Sequence, residues 1–203
     1  MLAELVDARN ALRSLGGDRF HAKYTPGVSE EMMGSLDLHH ASSDQDFADV
    51  HALAVEALGP HLASLDEIKR VDGLTGATIW VVRRKGSVSG FLATLPLTGE
   101  GVAALIDGKF NAASVRPEWL ARMGEPLAGW YCWCYAGRDQ VSRGTLVLAL
   151  RTLIDGHFPD LPFFGKESSE AGARIMRHLG FYPVDGVDHL FWRCANVMGD
   201  MPA

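Results

Sequence analysis

From residue 130 onward the chain alternates between extended apolar runs and helical repeats, and this alternation limits the fold more than any other feature. Residues 130–135 (WYCWCY) are all aromatic or cysteine and predict a strand. A polar loop over 137–143 leads into a helix predicted for 144–155. LPFFG at 161–165 predicts a further strand, 168–179 a helix, and 181–184 with 189–193 a closing hairpin across Asp185-Gly186-Val187-Asp188. Strands and helices in this succession need crossover connections and at least one parallel pair.

Upstream, SLDLHH at 35–40 predicts a short strand. A helix over 46–58 follows, capped by Ser43 or Asp44 and ended by Gly59-Pro60, and a second helix covers about 62–71. Two apolar strands, 77–84 and 87–97, join through Arg84-Lys85-Gly86-Ser87 as an antiparallel hairpin. The expected fold is therefore an α/β mixed sheet flanked by helices on both faces. Residues 2–15 predict an amphipathic helix stopped by Gly16-Gly17, and 18–34 an irregular stretch with a turn at Pro26-Gly27. Residues 1–34 then form an extension packed on a single domain over 35–203. Within that domain, 98–127 is long for a connection between neighbouring strands. It holds two short predicted helices, 101–106 and 117–123. It serves as a wall over a ligand, or as an extra packing layer or dimer contact, and the latter carries the expectation of a homodimer.

The chain has 203 residues, 47% hydrophobic and 22% charged, enough for a real core. Its net charge of −6 argues against a nucleic-acid partner. The one basic cluster, Arg83-Arg84-Lys85, reads as a solvated hairpin end. No segment has the length or apolarity to span a bilayer, and the first residues lack the pattern of an export signal, so no membrane partner is expected. Cys132, Cys134 and Cys194 do not make a disulfide framework and fit a reducing cytoplasm. Strand alternation would put Trp130, Cys132 and Cys134 on one face and Tyr131, Trp133 and Tyr135 on the other. No second ligand pair sits at zinc-like spacing from the two cysteines, so no metal is expected.

Two segments carry the chemistry. At Arg143-Gly144-Thr145 a polar loop containing Arg138 meets the start of a helix. Unpaired backbone N–H groups, a glycine and two guanidinium groups together suit a pyrophosphate. In the second segment, Ala171, Ile175 and Leu179 make a helical stripe, Gly180 ends the helix, and Phe181 folds back on it before the strand at Tyr182-Pro183-Val184.

A helix ending in Leu179-Gly180-Phe181, followed by Tyr182-Pro183-Val184, resembles the last helix and strand of the GNAT superfamily of N-acetyltransferases. The likeness covers roughly 35–193 and is most specific over 130–193. It implies transfer of an acyl group from acetyl-CoA or another acyl-CoA to a primary amine of a small molecule or peptide. By the resemblance, Tyr135, Arg138, Ser142, Arg143, Gly144 and Thr145 would hold the coenzyme, and Cys134 or Tyr135 would meet the thioester, beside a plainer core role for each. The chain departs from the family pattern in four places. Thr145 and Val147 stand where small residues are common. Met176 replaces a tyrosine that acts as general acid, and Ser169 replaces an asparagine. The alternative is a catalytically inactive domain that binds acyl-CoA or serves as an interaction module. His39 and His40, at the end of the first strand, are candidate bases beside a plainer surface role. His51 and Glu56, five apart on the next helix, need not share a face.

Overall fold

A computed structural model describes residues 23–76 and 78–194. The helix predicted for 2–15 lies outside them. The described chain begins with helix α1 (Pro26–Ser35) and strand β1 (Leu38–His40). Helices α2 (Asp44–Leu58) and α3 (Leu65–Thr75) follow, then strands β2 (Ile79–Arg84) and β3 (Ser87–Leu97). Next come helix α4 (Gly99–Ile106), a single 3₁₀ turn at Pro117–Trp119, strand β4 (Gly129–Gly137) and helix α5 (Gln140–Thr152). Strand β5 (Phe163–Lys166), helix α6 (Glu170–His178) and strands β6 (Tyr182–Pro183) and β7 (Leu190–Arg193) close the order.

Seven strands form one mixed sheet in the order β1-β2-β3-β4-β5-β7-β6. Pairing is antiparallel throughout except between β4 and β5, which run parallel with α5 as their crossover. Helices cover both faces, as the alternation of elements predicts. On one face α1, α5 and α6 bury Met33, Leu146, Ala149 and Met176 against Trp80, Leu92, Trp130 and Phe163. On the other, α2, α3 and α4 bury Val50, Ile68, Val71 and Val102 against Val81, Phe91, Leu95 and Tyr131.

Local signals explain most element ends. Ser43 accepts from the N–H of Asp46, and the Asp46 carboxylate accepts from the N–H of Ser43, a complete capping box. Asp46 also pairs with Arg83, so the basic hairpin end is tied to α2 rather than wholly solvated. Lys85 and Gly86 both take positive φ, 52° and 80°, as a two-residue hairpin turn requires. At the end of α6, Gly180 has φ 79°. Its N–H donates to Arg177 O, and the N–H of Phe181 donates to Met176 O at 3.0 Å, the double closure expected there.

Several boundaries differ from expectation, among them the first strand, which is shortened to Leu38–His40. Residues 26–35 are helical, because Pro26 occupies the first turn, where its missing N–H costs nothing. The second helix starts at Leu65 under a Ser64 cap and runs to Thr75. Residues 117–123 supply only the 3₁₀ turn. Helix α5 begins four residues before Gly144, capped by Asp139.

Candidate functional site at the β4–β5 parting

β4 carries a one-residue irregularity. Ala93 pairs with Cys134 and Thr94 with Cys132, leaving Trp133 as the extra residue of a β-bulge. The bulge breaks the two-residue period. Trp130, Cys132 and Tyr135 face the α5 side, while Tyr131, Trp133 and Cys134 face the α2–α3 side. The simple alternation is thus corrected from residue 134 onward. Cys132 and Cys134, expected on one face, lie on opposite faces.

At the same level β4 and β5 part. Their pairing runs from Trp130↔Phe163 to Cys132↔Gly165, while β4 continues to Gly137. Gly165 marks the limit of pairing. A Cβ there would meet Met176 Cε at 2.8 Å, so the Met176 side chain fills this corner.

Beside the bulge, on the α2–α3 side, lies a cavity of about 110 Å3. Phe91, Ala93 and Cys134 form its floor, and Val50, His51 and Ala54 of α2 one wall. Ala112 and Ala113 form the opposite wall, and His61 is exposed at its edge. The segment 98–127 therefore does two things. Its apolar residues Val102, Leu105, Phe110 and Trp119 form a packing layer, while Ala112 and Ala113 enclose the cavity. Trp133 Nε1 donates to Ala112 O at 2.8 Å. Glu67 accepts from the N–H of Val115 at 2.7 Å, and Arg70 donates to Val115 O. Both main-chain groups of Val115 are thereby held by α3.

Burial lifts the Cys134 thiol far above its ordinary value, with nearby Cys132 adding to the effect. The Cys132 thiol is pushed up to about 12 by burial. Cys134 is therefore a neutral thiol near pH 7, not an activated nucleophile. Tyr135, half-buried on the other face, is pushed up to about 12, first by burial and then by the two cysteines, so its phenol stays protonated.

The expected coenzyme residues cluster where β4 meets α5, but not as anticipated. Arg138 is exposed and lies 3.4 Å from Glu56, a pair worth little in water. Arg143 is exposed, and its backbone passes so close to Gly137 that a Cβ there would sit 3.0 Å from Arg143 N. Ser142 is fully buried, its hydroxyl 3.0 Å from that of Ser89, and faces the sheet. Gly144 is exposed with open space beside it, but lies one turn inside the helix. The Thr145 hydroxyl donates back to Val141 O. The helix start itself is taken by Asp139, whose carboxylate accepts from the N–H of Ser142 at 2.7 Å and is held below the usual carboxylate range by that bond.

Two further histidines find other roles. His40, half-buried, pairs through Nε2 with Asp72 at 3.1 Å. His39 is exposed, 3.3 Å from Asp37. Sequence reasoning overlooked His61, Ala112 and Ala113; for the two alanines the available signal was the unusual length of 98–127, and for His61 there was none. Among the described residues, no group of three or more His, Cys, Asp or Glu is placed to hold a metal ion. No described helix is long and apolar enough to cross a membrane.

Fold and site together describe a mixed-sheet α/β protein with a parted parallel pair beside an apolar cavity. No protein-family profile matches the sequence, and no curated protein matches it. Solved structures similar in outline include three acetyltransferases. A GNAT-family acetyltransferase from Bacillus cereus has 17% identity and a TM-score of 0.45 over 77% of this chain and 95% of its own. A histone acetyltransferase HPA2-related acetyltransferase from Corynebacterium glutamicum has 18% and 0.47, over 82% and 97%. A GNAT-family acetyltransferase from Streptococcus agalactiae has 19% and 0.47, over 77% and 94%.

Proposed function

We propose that the chain is an acyl-CoA-dependent N-acyltransferase, a divergent member of the GNAT superfamily, acting on a primary amine of a small molecule or peptide. The observation that carries this reading is the parting of β4 and β5 beside the Trp133 bulge. The arginine-bearing start of α5 and the apolar cavity lie on opposite faces of the sheet. A ligand that uses both must cross the sheet, and a thin chain can cross where two strands stop pairing. A long acyl donor with an anionic end and a reactive far end fits that path.

In the transfer, the amine nitrogen attacks the thioester carbonyl carbon. The C–N bond forms, the C–S bond breaks, and the sulfur leaves with the electron pair. A bulged residue is out of the ladder, so its N–H can polarise the carbonyl. His51, half-buried in the cavity wall, takes the proton of the amine. Tyr135, protonated and on the donor's side, supplies the proton to the departing sulfur. Cys134 lines the acceptor side as a neutral thiol. Cys132, Cys134 and Cys194 form no disulfide with one another, which suits a reducing cytoplasm.

A second reading, a non-catalytic acyl-CoA-binding domain, is favoured by one observation: the Asp139 carboxylate already occupies the start of α5. Thermal unfolding with acetyl-CoA and longer acyl-CoAs tests both. At a hundred times its dissociation constant a ligand stabilises by about 2.7 kcal/mol. A rise in Tm with coenzyme thiol released across an amine panel supports the enzyme. A rise without thiol release supports the binding domain, and no rise with any acyl-CoA overturns both.

A further inference from the structure

The cavity beside the bulge has a definite chemical character. None of its lining residues is a carboxylate, a lysine or an arginine. Its polar side chains are two imidazoles, one half-buried and one exposed, a thiol and an indole N–H. That N–H is already spent on Ala112 O, so Trp133 presents hydrocarbon to the space. An ammonium group placed inside would lose its water and find no counter-charge, which is unfavourable.

Five alanines, Ala54, Ala63, Ala93, Ala112 and Ala113, leave the room. Their neighbours are fixed. Ala63 precedes the Ser64 cap of α3, and Ala112 is held by the Trp133 indole. Ala93 sits in the ladder opposite Cys134. The space is thus preformed. At about 110 Å3 it is somewhat smaller than the roughly 150 Å3 apolar cavity known to accept benzene. A compact branched alkyl group or a single ring fits with its polar end outward, and a polyamine or a charged amino-acid side chain does not.

We infer that this cavity binds one compact, uncharged apolar group, of branched-alkyl to phenyl size, and so sets the specificity of the transfer. Whether the group belongs to the acceptor amine or to the acyl chain rests on the acyltransferase reading; that the cavity binds it does not.

The test uses the full chain and two measurements. In the first, Tm is followed with benzyl alcohol and isobutanol against putrescine, on wild type and on Ala93→Val and Ala54→Val, which fill the cavity from the floor and from the wall. Both variants are first shown to unfold cooperatively. The neutral probes are expected to raise the Tm of wild type in a saturable way, and of a filled variant less or not at all, with no rise from putrescine. Equal shifts in wild type and both variants, or none with either neutral probe, overturn the inference. In the second, product is measured for benzylamine against putrescine with acetyl-CoA, and for isovaleryl-CoA against acetyl-CoA with one amine. A preference of at least about tenfold in the first pair assigns the group to the acceptor, and in the second pair to the acyl chain. Neutral-probe binding without any acyl-CoA response leaves the cavity inference standing and removes the enzyme. Turnover that ignores both preferences removes the specificity claim and leaves the enzyme.

Discussion

Under the proposed acyl-CoA reading, Asp139 is the residue on which coenzyme affinity would turn. Its carboxylate caps α5 and is fully charged near neutral pH, at the place where a diphosphate would need positive potential. Asparagine caps a helix about as well as aspartate. Asp139→Asn is therefore expected to keep the fold and to tighten acyl-CoA binding roughly two- to fivefold at low salt, measured by calorimetric titration. An unchanged or weaker affinity would place the anionic end of the donor elsewhere. At Gly101 the constraint is steric. A Cβ there would overlap the Trp119 carbonyl, which is backbone and cannot swing away. Gly101→Ala should cost about 3 kcal/mol in denaturant unfolding, at the upper end for overpacking. At this scale the sequence was partly legible. Asp139 is an ordinary cap signal, but the turn over 140–143 shows no apolar period and the apolar run starts only at Leu146, so the sequence points to a later helix start. Gly180 was read correctly, since its position after a helical stripe leaves it one role.

Among elements, β4 with the loop it holds matters most. The strand announced itself by its aromatic run, but its bulge did not, because WYCWCY is apolar on both faces and a shift of one residue leaves no mismatch. The loop over 107–116 is fastened at two points, Ala112 O by Trp133 and Val115 by Glu67 and Arg70. Trp133→Phe removes one bond and keeps most of the ring. It should lower stability by about 1 kcal/mol and speed amide hydrogen exchange over 111–115 while leaving β2 and β3 unchanged. Uniform acceleration across the sheet would mean that the loop is not a separate unit. None of these loop contacts is local in sequence, and no pattern in residues 98–127 could have shown them.

Across the whole molecule, the edge of the sheet is tied to the helical layer by one buried carboxylate. Asp72 on α3 accepts from the N–H and hydroxyl of Thr78, both at 2.8 Å, and pairs with His40 of β1. Burial alone would raise its pKa, but the bonds from His40 and Thr78 outweigh that and hold it below 3.8. The bond to Asp72 raises His40 above 6.5 against the opposing effect of burial. The Asp72 contribution is present above pH 3.8 and lost as pH falls through its lowered folded value. The His40 contribution is complete below pH 6.5 and lost as pH rises through its raised folded value. Both act together between about pH 4 and 6.5. Tm should therefore decline as pH rises above 6.5, and His40→Gln should flatten that decline. A decline of the same slope in His40→Gln would assign it to another group. The mixed sheet and its flanking helices were legible from the order of elements, whereas this tie joins residues 32 apart and was not.

Parity in β4 has a consequence of its own. Upstream of Trp133 the side chains keep one phase, and downstream they keep the other, so a single residue decides which chemistry each face receives. Excising Trp133 would leave Cys134 and Tyr135 on their present faces, whereas flattening the bulge with every residue kept would exchange them. A phenol would then look into the cavity and a thiol toward α5, with no change in length or composition. Proteins built on this sheet could therefore trade the floor of a binding chamber by making or closing one bulge, a route to new specificity that leaves the floor's own residues unsubstituted.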